Sequence, residues 1–161
     1  MTNADTLSIT LPGDREIAFT REFDAPRRLV FDAYTKPELI RRWLLGPGGW
    51  TMPVCEVDLR VGGAYRYAWE KTDLGLKMGM GGKYLEIVAP ETLVCTEKFD
   101  DPWYEGEATS RIEFTEQHGK TTMTLTIRYA SKDVRDAVLK SPMESGMRAG
   151  YDALAQLLTT L

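Results

Sequence analysis

From Trp50 to Tyr129 apolar residues recur at every second position, and after Ser141 they recur at every third or fourth. A period of two belongs to a strand with one buried face, and a period near 3.6 belongs to a helix with one apolar stripe. The strand-like runs lie near Met52–Leu59, Ala64–Lys71, Met78–Val88, Thr92–Phe99, Ala108–Thr115 and Thr121–Tyr129. Only short turn-like segments separate them, such as Gly62-Gly63, Ala89-Pro90-Glu91 and Gln117-His118-Gly119-Lys120. Connections this short leave no room for crossover helices, so the sheet must be antiparallel. In the last run Thr121, Met123, Leu125, Ile127 and Tyr129 share one face while Thr122, Thr124, Thr126 and Arg128 share the other. One face is therefore buried and one is wet.

The flanks complete the architecture. Thr6 to Phe23 alternates on both sides of Pro12-Gly13-Asp14 and reads as a strand pair or one long interrupted strand. Asp24-Ala25-Pro26 predicts a capped helix start, followed by Leu29, Val30, Ala33 and Tyr34 at helical spacing. Thr35-Lys36-Pro37-Glu38 repeats the logic for a second short helix through Leu39, Ile40, Trp43 and Leu44, ended by Gly46-Pro47-Gly48-Gly49. A further helical stretch spans about Asp133 to Leu139. Ser141-Pro142-Met143-Glu144 then has the form of a capping box that opens a long helix. Its stripe of Met143, Met147, Gly150, Tyr151, Leu154, Leu157, Leu158 and Leu161 covers about five turns, enough to cross a sheet. The fold class is α+β: helices on one face of a curved antiparallel sheet, formed as a single domain over 1–161 with 1–5 as a disordered tail.

Composition narrows the function classes. At 161 residues and 43% hydrophobic, the chain can bury a core without disulfides or a structural metal. The net charge of −4, with both signs interspersed, lacks the concentrated cationic footprint that nucleic acid requires. One histidine excludes a multi-histidine metal site. There is neither a run long enough to span a bilayer nor a basic, apolar leader, so a cytoplasmic location is expected. Cys55 and Cys95 lie on separate strands without CxxC spacing and read as free thiols.

The residues offered to the buried face are large, soft and partly polar. Tyr65, Tyr67 and Trp69 alternate on one strand; Met78, Met80, Phe99 and Met123 follow on others. Met147 and Tyr151 face them from the long helix, with Trp43 from the second short one and the small residues Gly146, Ala149, Gly150 and Ala153 nearby. Methionine fills irregular space and tyrosine places a hydroxyl beside an apolar ring, so these ten larger residues are candidate walls of a small-molecule cavity. Spacing alone favours an ordinary filled core over a cavity. Gly79-Met80-Gly81-Gly82 leads into a strand, not a helix, and reads as a bend with no nucleotide or other cofactor implied. Glu56, Asp58 and Glu97 are conceivable acid–base carboxylates but fit solvated strand faces better. Asp100-Asp101 lacks the spacing of a cation loop, His118 suits a hairpin tip, and Ser131, Ser141 and Ser145, with no base nearby, suit caps or the surface.

The segments Phe23 to Phe31 (FDAPRRLVF), Pro37 to Trp43 (PELIRRW), Val57 to Gly63 (VDLRVGG), Tyr84 to Val94 (YLEIVAPETLV) and the helix from Met143 together resemble the bacterial single-domain members of the activator-of-Hsp90-ATPase-like family. That family belongs to the START-like, helix-grip superfamily, also called SRPBCC, and the resemblance extends from about Ile17 to Leu161. It implies a sheet of about seven strands gripping a long C-terminal helix, with a hydrophobic cavity between them. The leading functional expectation is non-enzymatic binding of a small hydrophobic or aromatic ligand there. The alternatives are a co-chaperone or stress-response protein of the Hsp90-activator type, with a chaperone as partner, and a cyclase- or hydrolase-type enzyme using a cavity carboxylate or tyrosine. The additional N-terminal domain through which eukaryotic activators contact the chaperone has no counterpart in this length of chain.

Overall fold

The computed structural model describes residues 7–45 and 48–161. Strands β1 (Ser8–Thr10) and β2 (Glu16–Phe23) precede helices α1 (Arg27–Thr35) and α2 (Pro37–Trp43). Six strands follow: β3 (Thr51–Val57), β4 (Ala64–Lys71), β5 (Leu76–Val88), β6 (Thr92–Phe99), β7 (Ala108–Gln117) and β8 (Lys120–Arg128). Helices α3 (Lys132–Leu139) and α4 (Met143–Leu158) close the chain. All eight strands form one antiparallel sheet in the order β1-β2-β8-β7-β6-β5-β4-β3. The eighth strand, beyond the seven expected, is β1: Pro12-Gly13-Asp14 does divide the first segment, and Ser8–Thr10 folds back on Ala18–Thr20.

Parity sets the inner face. Ile17 pairs with Ile127 and Phe19 with Leu125, and across β8 Ile127 meets Ser110, Leu125 meets Ile112 and Met123 meets Phe114. The β7–β8 turn is His118-Gly119, with φ of 55° and 76°. A two-residue hairpin whose twist matches the strands needs positive φ at both positions. Breaks of register between Tyr84 and Glu86 and between Thr51 and Val54 bend the far half of the sheet.

Three predicted caps do not form: at Thr35 the hydroxyl donates back to Phe31 O of α1 at 3.0 Å and Lys36 stands at the N-cap of α2, and the other two are Asp24 and Ser141. Asp24 does not cap α1; the helix starts after Pro26, and the Arg27 amide instead donates to Glu116 Oε1 of β7 at 2.8 Å. Ser141 is likewise not a cap, because its hydroxyl donates backwards to Val138 O at 2.6 Å and Pro142 stands at the N-cap with no side-chain acceptor. In each place a tertiary or preceding-helix partner outcompetes the cap. Gly46 and Pro47, part of the predicted stop after α2, lie outside the described residues, as does the predicted tail 1–5.

Helix α4 is fastened unevenly. Tyr151, Leu154, Leu157 and Leu158 of its second half are buried, and Leu154 is 0% exposed. Its backbone lies beside α1, α2 and α3 over more of its length than beside any strand. Beneath the second half, Arg21 of β2 is 1% exposed, with Nη1 at 3.0 Å from Asp152 Oδ1 and its guanidinium 5.5 Å from the Phe23 ring centre. The first half, from Met143 to Gly150, has no fully buried residue and stands off the sheet.

Candidate functional site

The space under the first half of α4 is a cavity of about 430 Å³ bounded by strands β4 to β8, α1, α2 and α4. Sites for small organic ligands commonly fall between about 300 and 1,000 Å³. From β4, Tyr65, Tyr67 and Trp69 line it, and Met78 and Met80 do so from β5. Phe99 of β6, Trp43 of α2, and Met147 and Tyr151 of α4 complete the predicted residues found on the wall. Met123 is the exception. It is fully buried but pairs with Phe114 at the end of the sheet that α1 covers, where Phe31 packs edge-on against Phe114 at 5.7 Å. Its parity was inward, but its position along the strand puts it in filled core.

The wall is held by hydrogen bonds that occupy the polar ends of its rings. Trp43 Nε1 donates to Ala33 O at 2.9 Å and Trp69 Nε1 to Leu44 O at 2.6 Å, so both indoles present only apolar surface. Tyr65 reaches across its ladder partner Gly82 to donate to Thr96 O at 2.6 Å. A Cβ on Gly82 would fall 1.9 Å from that same carbonyl, so only glycine lets β5 and β6 come together here. On α4, Gly146 and Gly150 line the cavity, and a Cβ on Gly146 would have nothing within 4 Å. Ala149 is exposed and Ala153 lies on a shallow groove outside the cavity. Met78 and Trp103 line the cavity while each remains 47% exposed, which places them at its mouth.

Two polar features stand inside this apolar wall. The Tyr151 hydroxyl is buried with no partner in hydrogen-bond geometry, although Tyr34 lies near enough that each tyrosine influences the other's ionisation. Burial raises both phenols above their ordinary range. The second feature is Glu97 of β6. It shares parity with Leu93, Cys95 and Phe99, all on the cavity wall, and its Oε1 accepts from Tyr104 at 3.0 Å. Burial pushes its carboxyl above the ordinary carboxylate range, against the opposing pull of Tyr104 and of the nearby Ser110 hydroxyl.

Of the three carboxylates that the sequence assigns to solvated strand faces, Glu56 and Asp58 are exposed, whereas Glu97 is half-buried on the cavity wall. The alternation along β6 carried the missing signal. Trp103 and Tyr104 gave no such signal because they belong to a loop with no period. Asp100 is engaged by Arg66 through both carboxylate oxygens, one contact at 2.6 Å. Among the described residues no group of three or more His, Cys, Asp or Glu could hold a metal ion, and no helix is long and apolar enough to cross a membrane. Cys55 and Cys95 are free. They sit on β3 and β6, separated by β4 and β5.

A curved antiparallel sheet around a C-terminal helix, with a cavity between them, defines the helix-grip class of the START-like superfamily. Residues 24–159 match the family described as activator of Hsp90 ATPase homolog 1-like protein, and the chain belongs to that family. A crystal structure of a protein from Rhodobacter sphaeroides is 28% identical, covers 98% of this chain and 100% of its own, and superimposes with a TM-score of 0.90. A solution structure from Staphylococcus epidermidis, also 28% identical, covers 95% of this chain and 94% of its own with a TM-score of 0.80. The AHSA1-like protein from Aeromonas hydrophila, 19% identical over 89% of this chain and 92% of its own, shares the fold with a TM-score of 0.68. No match was found among curated proteins.

Proposed function

We propose that the protein binds a small hydrophobic or aromatic molecule in the cavity between the sheet and α4, using Trp43, Tyr65, Tyr67, Trp69, Met78, Met80, Phe99, Met147 and Tyr151. The observation that carries this reading is the 430 Å³ volume enclosed by aromatic and methionine side chains whose polar atoms are largely turned away from it. Burying about 200 Å² of apolar ligand surface yields a gross gain near 5 kcal/mol, which association costs reduce to micromolar or weaker affinity.

The test is Met147→Trp. Met147 is partly buried and projects from the half of α4 that stands off the sheet. If the space is available to ligands, the larger ring fills it: the urea midpoint is kept while binding of a fluorescent apolar probe is lost. If the space is filled in solution, overpacking lowers stability by about 1 to 3 kcal/mol. Such a loss, with wild-type protein that binds no probe, would overturn the proposal in favour of the chaperone contact suggested by the family description.

A further inference from the structure

Among the described residues that line the cavity, Glu97 is the only one with a formal charge. The groups that face it are Cys95 from its own strand, Tyr65 from β4, Ser110 from β7, Tyr129 just past β8, and Tyr104 from the loop between β6 and β7. None of these can carry a positive charge. Glu97 is half-buried, and a carboxylate partly withdrawn from water without a counter-ion is unfavourable, a cost that two hydroxyl neighbours offset only in part. The surroundings are aromatic: Tyr104 packs edge-on against Tyr129 at 5.2 Å, Phe99 at 6.0 Å and Trp103 at 4.9 Å. Aromatic rings beside a carboxylate that has no counter-ion are the chemistry that attracts an organic cation, through charge pairing and cation–π contact together.

We propose that the ligand of this cavity is a small apolar or aromatic amine, bound as its ammonium form with Glu97 as counter-ion and Tyr104 holding the carboxylate in place. This rests on the cavity being a ligand site, and it specifies the chemical class. It also fixes a proton balance. The Glu97 carboxyl is held above its ordinary range in the free protein, so at pH values where it still carries its proton, binding an ammonium releases that proton to solvent. Amine affinity should therefore rise with pH through that raised range, until the amine itself loses its proton. A ligand bearing a carboxylate should show the opposite trend, and a neutral alcohol should show little of either.

Titration calorimetry with 2-naphthylmethylamine, 2-naphthylmethanol and 2-naphthoic acid, between pH 5 and pH 8, separates the possibilities. At pH 8 the amine should bind about tenfold or more tightly than the alcohol, the usual scale of a charge-assisted hydrogen bond. Glu97→Gln should weaken the amine about tenfold or more and the alcohol much less, so that the two affinities converge. Tyr104→Phe, which removes the donor that holds the carboxyl down, should move the pH midpoint of amine binding upward. If amine and alcohol bind equally and Glu97→Gln alters neither, the amine assignment is refuted while the cavity remains a ligand site. Tighter binding of the acid also refutes it. If none of the three binds, both this assignment and the ligand-binding proposal fail.

Discussion

Glycine inside a helix lowers its stability by about 1 kcal/mol relative to alanine, so two glycines in one helix need a structural reason. In α4 that reason is not crowding. A Cβ built on Gly150 meets only Trp43 Cζ3 at 4.0 Å, an ordinary contact, and one built on Gly146 meets nothing within 4 Å. Gly146→Ala should stabilise the protein by somewhat under 1 kcal/mol because it lies in the first turn, and Gly150→Ala by about 1 kcal/mol. The sites are one turn apart with no shared contact, so the double variant should gain about 1.5 to 2 kcal/mol. For a chain of this size that is a rise of about 3 to 8 °C in Tm. Urea unfolding followed by tryptophan fluorescence, with calorimetry as a second probe, measures it. If the space beneath α4 is in fact filled, two added methyl groups overpack it and the midpoint falls by the equivalent of about 1 kcal/mol or more. A fall of that size in the double variant would refute the described cavity.

Three further outcomes follow from particular side chains. Leu154→Ala should cost about 2 to 5 kcal/mol, because a fully buried side chain leaves a void where α4 is fastened; less than about 1 kcal/mol in urea titration would mean that this half of the helix is peripheral. Thiol titration should find two free groups in denatured protein. In the native state at pH 8 Cys95 should react very slowly, since burial pushes its thiol up to about 11, and an apolar ligand in the cavity should slow it further. Glu97→Gln should alter the pH dependence of stability in a defined direction. The folded-state carboxyl is raised, so its contribution is fully present below the unfolded value near 4.3 and is lost as pH rises through the folded one. The variant should therefore gain stability relative to wild type as pH rises above about 4.3, and a constant difference would argue that the Glu97 carboxyl is not raised by the fold.

Most of the sheet is legible in the chain because alternation is strict where one face is buried. Leu125, Ile127 and Tyr129, and likewise Tyr65, Tyr67 and Trp69, keep their predicted parity. What parity does not encode is distance along the strand, which is why Met123 falls in filled core and Met80 on the cavity wall. Residue type misleads at Glu97, where the expectation that carboxylates face water outweighed the three apolar neighbours of the same parity. The cap at Asp24 gives way to Glu116, a partner from a distant strand that local spacing does not encode, whereas at Ser141 the competing acceptor, Val138 O, is itself local and belongs to the helix before.

The uneven fastening of α4 bears on how a molecule reaches an interior with few gaps. Cooperative units of a protein open with different free energies, and the segments that open most easily are those with few buried contacts and little side-chain capping. In α4 these conditions coincide in the turns from Met143 to Gly150, which have no side-chain N-cap and contain two glycines. The turns carrying Leu154, Leu157 and Leu158 belong to the global unit. Fraying of the first turns would widen the mouth at Met78 and Trp103 without disturbing the strands, so exchange of the cavity's contents need not wait for unfolding. Amide exchange along this one helix would then show a gradient, fast at its start and close to the global limit at its end, and the rate at which occupants come and go would be written in the first two turns.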